Sequence, residues 1–500
     1  MNGVSGLVVG IRGPVARSWV KSCRRRVNLP QTALSLALAA ALVLPFPLLA
    51  AQQASQQPAP QQPAGVGTQL QTGTSSGLEA DERLRNLLAD HQYKRLAAEL
   101  DKLPADEARF YRGILANRSN DLKQSIEMLE PLADRVASSG DTEHEKLLRK
   151  ALAEDYLRLG DWAKAAQAYQ KLDERLHAKL SADERDEIEM PLKMLPLAKD
   201  NPPISVEACD PFVLPVSTNP LDLIDVPVFV DARSRTWMLD PTAPFNLIAR
   251  STAREVGLKI SEETATIRTL TGRPIQVHST VIPRFTLGGQ LTFRNVTAFV
   301  YDDADYYFRR TGYQVEGVLG LPALMGFGSL TVSSNSTIAI HPAKQLDPHA
   351  KDDRLSSGAP FYLDGDQVIV TLGRVRGPDD AAPQEANEDE RNFVIDAGGQ
   401  LSYLTSRYYE EHAAEFIGLQ SETYSPPGQP SAPQLAYVAE TVPLAIGSTA
   451  INLHYLRVLT QPLDAAALED VYGVLGVDAL GQLKSYTFDY RTMRFTARAE

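Results

Sequence analysis

Around Asp240 the chain reads Trp237-Met238-Leu239-Asp240-Pro241-Thr242-Ala243-Pro244, and around Asp396 it reads Phe393-Val394-Ile395-Asp396-Ala397-Gly398-Gly399-Gln400. Each stretch is an apolar run ending in one aspartate, followed by small or turn-forming residues. The two aspartates are 156 positions apart. At 77 residues after each comes a second matched block, Gly317-Val318-Leu319-Gly320-Leu321 and Gly473-Val474-Leu475-Gly476-Val477. The same offset aligns Ala323 with Ala479, Leu324 with Leu480, Ser329 with Ser485 and Thr331 with Thr487. Self-similarity at a fixed offset points to two diverged copies of one unit. Each copy delivers a single carboxylate from a strand end, as a shared two-aspartate site requires.

Around these blocks the period is 2. Val226, Val228 and Val230 alternate before Asp240, and Phe285 to Val300 reads as a hairpin around Gly288-Gly289. Ile338 and Ile340 close the first copy. The second copy repeats the pattern at Val368 to Leu372, Asn392 to Asp396, Val442 to Ile446, Ile451 to Val458 and Tyr486 to Tyr490. Short strands at turn-punctuated spacing predict closed barrels or sandwiches. A short helix is expected after each aspartate, over Ile248 to Val256 and Thr405 to His412, and another after each glycine block.

Each copy resembles the retropepsin-type aspartic protease domain, and the pair resembles a bilobal, pepsin-type arrangement in one polypeptide. The resemblance spans residues 220 to 500. It implies lobe 1 at 220–345, lobe 2 at 346–500, and Asp240 and Asp396 as the catalytic pair. It also implies that Thr242, Gly398 and Gly399 lie against the substrate, a polypeptide or peptide ligand, with no cofactor and no metal. Two carboxylates held together share a proton, so one activates water while the other hydrogen-bonds the scissile carbonyl. The sequence departs from the family at three positions. Pro241 and Ala397 stand where the family has a hydroxyl residue, Thr242 stands where it has glycine, and Pro241 also removes a backbone N–H. A flap is expected from Ile275 to Leu287 or the Thr271-Gly272 turn, and from Ser425 to Gln434 in the second copy.

From Asp81 to Leu197 the period is instead helical, with stripes such as Leu84, Leu87, Leu88 and Tyr93, Leu96, Leu100. Tyr156-Leu157-Arg158-Leu159-Gly160-Asp161-Trp162, followed by Ala165, Ala166 and Tyr169, resembles a tetratricopeptide repeat. Ala108 to Leu132 has the same outline, with Asn120-Asp121 in the turn. This assigns 79–198 to a tetratricopeptide-like helical domain that offers either a groove for a protein partner or a spacer. Lys199 to Asn219 is Pro-rich and is expected to be a linker. The fold class is thus multi-domain α plus β: a helical-repeat domain followed by two tandem retropepsin-like β-barrel lobes.

Residues 1–51 read as a signal peptide or membrane anchor. Arg17, Lys21 and Arg24 to Arg26 flank a charge-free, Leu- and Ala-rich run from Thr32 to Ala51. The run is long enough to span a bilayer, and Leu48 or Leu49 would fall where a cleavage site prefers a small residue. Either way the bulk of the chain is expected to be exported: periplasmic, secreted or anchored to the outer face of the cytoplasmic membrane, in a bacterial envelope. Residues 52–78 are Gln, Pro, Ala, Ser, Gly and Thr, a composition expected to remain a disordered linker.

Composition excludes other classes. The net charge of −12 argues against nucleic acid, which needs concentrated Lys and Arg. Of two cysteines, Cys23 lies in the export segment, so Cys209 is expected to be a passive thiol. No His-Glu-x-x-His, Gly-x-Ser-x-Gly or phosphate-cradling loop occurs. Three functions fit what is left: an aspartic-type endopeptidase, a catalytically impaired peptide-binding protein on that fold, and an interaction protein that works through its helical repeats.

Overall fold

The computed structural model describes residues 74–499, except 242, 269–273, 344–357, 366, 375–389, 400, 426–432 and 464–470. The expected export segment lies outside the described residues, as do the expected linker up to 73 and the Thr271-Gly272 turn. Among the described residues, no helix is long and apolar enough to cross a membrane.

Eight α-helices come first: α1 (Thr74–Ala89), α2 (Tyr93–Leu100), α3 (Ala105–Arg118), α4 (Leu122–Leu129), α5 (Ala133–Ser139), α6 (Thr142–Arg158), α7 (Trp162–Leu176) and α8 (Ala182–Ala198). One device makes three of their turns. Asn120, Gly140 and Gly160 take left-handed φ of 57°, 77° and 70°. Such a residue ends a helix by turning the chain out of the right-handed spiral. The next residue is an aspartate each time, and its side chain accepts from the N–H of Gln124 (3.2 Å), His144 (3.2 Å) or Lys164 (3.1 Å). Each cap is worth about 1 kcal/mol. Ser181 and Glu184 cap α8 reciprocally.

The strands that follow fall into a nine-stranded sheet, a thirteen-stranded sheet and a two-stranded ribbon. The expected alternation is present: Val226, Val228 and Val230 are fully buried. Gly288 and Gly289 turn the hairpin between Pro274–Leu287 and Leu291–Tyr301 with φ of 55° and 74°. The loop between the paired Leu287 and Leu291 is three residues long, and Gln290 N closes a turn on Leu287 O at 3.0 Å whose two central residues are these glycines. The short helices expected after each aspartate and each glycine block are Arg250–Glu255, Leu321–Leu324, Ser406–His412 and Val477–Leu480.

Two separate barrels do not describe the strands. The thirteen-stranded sheet takes strands from both halves of the β-rich region, because Ser329–Ser333 pairs antiparallel with Ser485–Asp489. An edge strand presents unpaired N–H and C=O groups, and each half satisfies this edge with the other's. The segment 199–219, expected as a linker, also carries strands. Ser205 and Val206 pair with Arg294 and Phe293 in the nine-stranded sheet. Phe212–Pro215 borders Thr337–His341 in the thirteen-stranded sheet. Proline is tolerated there because these are border strands.

The helices share a core with the β-rich region. Ile188, Met194, Leu195 and Ala198 fall in one buried cluster with Phe245, Ile275, Val277 and Phe299. A second tie is ionic. Asp364, at a strand end in the second half, meets Arg118 Nη2 at 2.9 Å, Lys150 Nζ at 3.5 Å and His91 Nε2 at 3.5 Å, and it accepts from the Tyr93 hydroxyl at 3.3 Å. Burial pushes the Asp364 carboxyl up, but Arg118 and Lys150 outweigh it and hold the group well below the usual carboxylate range.

Candidate active site

Each aspartate sits where a strand ends beside a parallel neighbour. Arg233–Leu239 runs parallel to Gly317–Leu319, with Leu239 opposite Leu319. Glu390–Ile395 runs parallel to Gly473–Leu475, with Ile395 opposite Leu475. The backbone N–H of Asp240 donates to Leu319 O at 3.1 Å, and that of Asp396 donates to Leu475 O at 3.0 Å. Each loop then turns back on itself, through Ala243 N to Asp240 O at 3.2 Å and Gly399 N to Asp396 O at 3.1 Å. A third bond closes each loop onto the segment after its glycine block: Leu321 N to Ala243 O and Val477 N to Gly399 O, both 2.9 Å. All three pairs of bonds stand at the sequence offset of 156.

The glycines are there because the backbones touch. A Cβ on Gly320 would lie 2.4 Å from Phe245 O, and one on Gly476 would lie 2.8 Å from Gly399 O. A Cβ on Gly317 would enter the Trp237 ring at 2.3 Å. Only glycine allows such approach.

The two loops meet at the second one's glycine pair. A Cβ on Gly398 would stand 2.6 Å from Asp240 Oδ2 and 2.7 Å from its Oδ1. A Cβ on Gly399 would stand 2.2 Å from Asp396 Oδ2. The carboxylates from both halves therefore abut adjacent residues of one loop, and both are partly exposed. Thr242 lies outside the described residues. Pro241 and Ala397 are buried beside their aspartates and bring no hydroxyl.

Two residues that the sequence reading did not single out brace these loops. Asn246 Oδ1 accepts from Gly320 N at 3.0 Å, while its Nδ2 donates to Thr297 O at 3.1 Å. Ser402 Oγ accepts from Gly476 N at 2.8 Å and donates to Asp478, which also takes the Ser402 N–H at 2.8 Å. Both side chains are 1% exposed. They stand at the 156-residue offset with different side chains, so continuing the alignment past the aspartates would have exposed them.

Tyr301 is fully buried, and its hydroxyl donates to Val315 O at 2.5 Å. Burial, with help from Asp210, pushes the Cys209 thiol up, so it stays protonated.

The aspartyl protease family model matches residues 226–323, which include Asp240 and the first glycine block. Among solved structures, the chain is similar to basic 7S globulin from soybean at 11% identity, over 59% of this chain and 97% of that one, with a TM-score of 0.36. It is similar to a retropepsin-like aspartic protease from Rickettsia conorii at 14% identity, over 27% and 94%, with a TM-score of 0.20. Similarity to edgp is 11% over 58% and 95%, with a TM-score of 0.34. No curated protein matches.

Proposed function

We infer that this protein is an exported endopeptidase of the aspartic type, built as two tandem retropepsin-like lobes, in which Asp240 and Asp396 activate one water molecule. The observation that carries the reading is the meeting of the loops at Gly398 and Gly399, each glycine against a carboxylate from a different half. The proposed chemistry uses one carboxylate in its ionised form and the other in its protonated form. The ionised member takes a proton from water as its oxygen attacks the peptide carbonyl carbon. The protonated member hydrogen-bonds the carbonyl oxygen, and a proton then passes to the departing nitrogen. The match of 226–323 to the aspartyl protease family supports the same chemistry.

A second reading rests on Pro241 and Ala397. Without a hydroxyl after either aspartate, the cleft becomes one that binds an extended peptide and does not cut it. The helical array resembles tetratricopeptide repeats in its paired turns, and its shared core supports reading it as part of the same body. Residues 1–51 support delivery across a membrane, which N-terminal sequencing of the mature protein and cell fractionation test.

The deciding experiment is cleavage of an unfolded protein substrate across acidic to neutral pH. Pepstatin-sensitive turnover that disappears in Asp396→Asn is expected. Turnover that survives both Asp240→Asn and Asp396→Asn overturns the assignment, and saturable peptide binding without turnover establishes the second reading.

A further inference from the structure

The two aspartate loops are alike in backbone and unlike in what stands behind them. At the 156-residue offset, Phe245 corresponds to Leu401, Leu321 to Val477 and Pro322 to Asp478. Phe245 is 2% exposed, whereas Leu401 is 38% exposed. Leu321 and Pro322 are buried, whereas Val477 is half-buried and Asp478 is exposed. The cover in the first half is the helical array. Phe245 belongs to the buried cluster that holds Ile188, Met194 and Leu195 of α8, and the short helix Leu321–Leu324 packs on α6. Phe245 and Leu321 line one pocket with Leu157 of α6 and Met190 of α8. Phe245 also meets Phe299 edge to face, with ring centroids 5.1 Å apart.

Each loop is braced, but by different means. In the second half Asp478 ties the loop to the helix that follows the glycine block. Its Oδ1 accepts from Ser402 N at 2.8 Å and Ala479 N at 2.9 Å, and the Ser402 hydroxyl donates to the same oxygen. Pro322, standing in its place in the first half, offers no carboxylate, and Pro241 gives that loop no N–H after its aspartate. Phe245 supplies an apolar tie instead. Packing fixes its ring, and the ring fixes the backbone five residues after Asp240. The bonds from Leu321 N to Ala243 O and from Ala243 N to Asp240 O carry that constraint to the aspartate. A reacting group keeps its place when packing locks the residues that support it.

We propose that Phe245 is a positioning residue for Asp240, and that the helical array is the clamp that acts through it. The positioning role rests on the aspartic-type reading of the site; the clamp on the loop does not.

The test uses the whole chain and first reads amide hydrogen exchange, which needs no turnover. In Phe245→Ala, exchange at the Ala243 and Leu321 N–H groups should speed up by roughly tenfold, while Gly399 and Val477, their counterparts in the second loop, keep the wild-type rate. Leu401→Ala, at the matching position of the second loop, should leave all four as they are. Met190→Ala loosens the same packing from the helix side and carries this arm if Phe245→Ala does not fold. Peptide cleavage gives the second readout. Phe245→Ala should lower kcat by about tenfold with KM unchanged and shift the pH profile, and Phe245→Leu should recover part of the loss. Equal acceleration in both loops, or none in the first, overturns the clamp. A loosened first loop with unchanged kcat and pH profile overturns the positioning role. A wild-type chain that cleaves no peptide refutes the aspartic-type reading, and the clamp then still stands or falls on the exchange result.

Discussion

The hydroxyls of Thr331 and Thr487 hydrogen-bond each other at 2.7 Å, and the two residues are 156 positions apart. They are also direct partners in the ladder that joins the halves, and the flanking pairs run symmetrically outward: Ser329 with Asp489, Ser333 with Ser485. The local two-fold relation between the copies thus passes through this pair. Replacing one threonine by valine leaves a half-buried hydroxyl without its partner and should cost about 1 kcal/mol. Thr331→Val with Thr487→Val should cost less than the two single changes added, because valine favours a strand and no orphan remains. A double-mutant cycle by urea unfolding measures the difference, and strict additivity would refute the coupling.

Gly398→Ala tests the contact between the loops. The added methyl would sit within 2.7 Å of both Asp240 oxygens, so the carboxylate or the loop must move. A displacement of about 1 Å at a reacting group is sufficient for roughly 100-fold in rate. We expect kcat to fall by at least that factor with KM little changed. Gly317→Ala, which pushes on the buried Trp237 ring, should instead lower stability by about 1–3 kcal/mol. Unchanged kcat in Gly398→Ala would remove the glycine from the site.

Much of this was legible because one pattern is written twice. Val226, Val228 and Val230 alternate as a half-buried strand must, and Gly288-Gly289 supplies without steric cost the positive φ that a tight hairpin turn needs. What stayed hidden is tertiary. Asp364, beside Gly365, reads as an ordinary turn acid, and its partners Arg118 and Lys150 come from distant helices. Phe212–Pro215 looks like linker because proline signals a break, yet the strand needs neighbours on one side alone. Asn246 and Ser402 escaped because their shared task, binding a glycine N–H, is met by an amide in one copy and a hydroxyl in the other.

Ser402→Ala removes the acceptor for Gly476 N and the hydroxyl donor to Asp478 within a buried site. The orphaned N–H should cost about 1–3 kcal/mol. Ser402→Thr keeps the hydroxyl and should recover part of that loss. If these residues matter only for stability, peptide cleavage by the folded fraction will keep its pH profile. A shifted profile in Ser402→Ala would mark Ser402 as a positioning residue for the Asp396 loop.

Asp364→Asn removes a charge from between Arg118 and Lys150. Removing one member of a buried ionic group costs about 3 kcal/mol when the remaining charges stay buried. Arg118 and Lys150 keep Glu154 and Glu187, which limits the loss. Asp364→Asn with Arg118→Met should therefore be closer to wild type than the two single effects predict. Amide hydrogen exchange should show the added opening first in α2, α3 and α6, whose residues face Asp364.

Asp155 should give the protein a pH dependence of opposite sign to that of Asp364. Burial raises its carboxyl to about 6, against the pull of Arg158 and the hydrogen bonds from Ser125 and Asn117. A raised folded-state pKa means the native state binds the proton more tightly than the unfolded chain, so stability falls as pH climbs from about 4 to about 6. A rise of this size corresponds to roughly 3 kcal/mol. Asp364, held low, does not titrate in that window, and its contribution is lost only as pH falls below the ordinary aspartate range. Urea unfolding of wild type and Asp155→Asn at pH 4, 5, 6 and 7 isolates the effect. The variant should gain on the wild type across that span, and a constant gap between the two curves would refute the assignment.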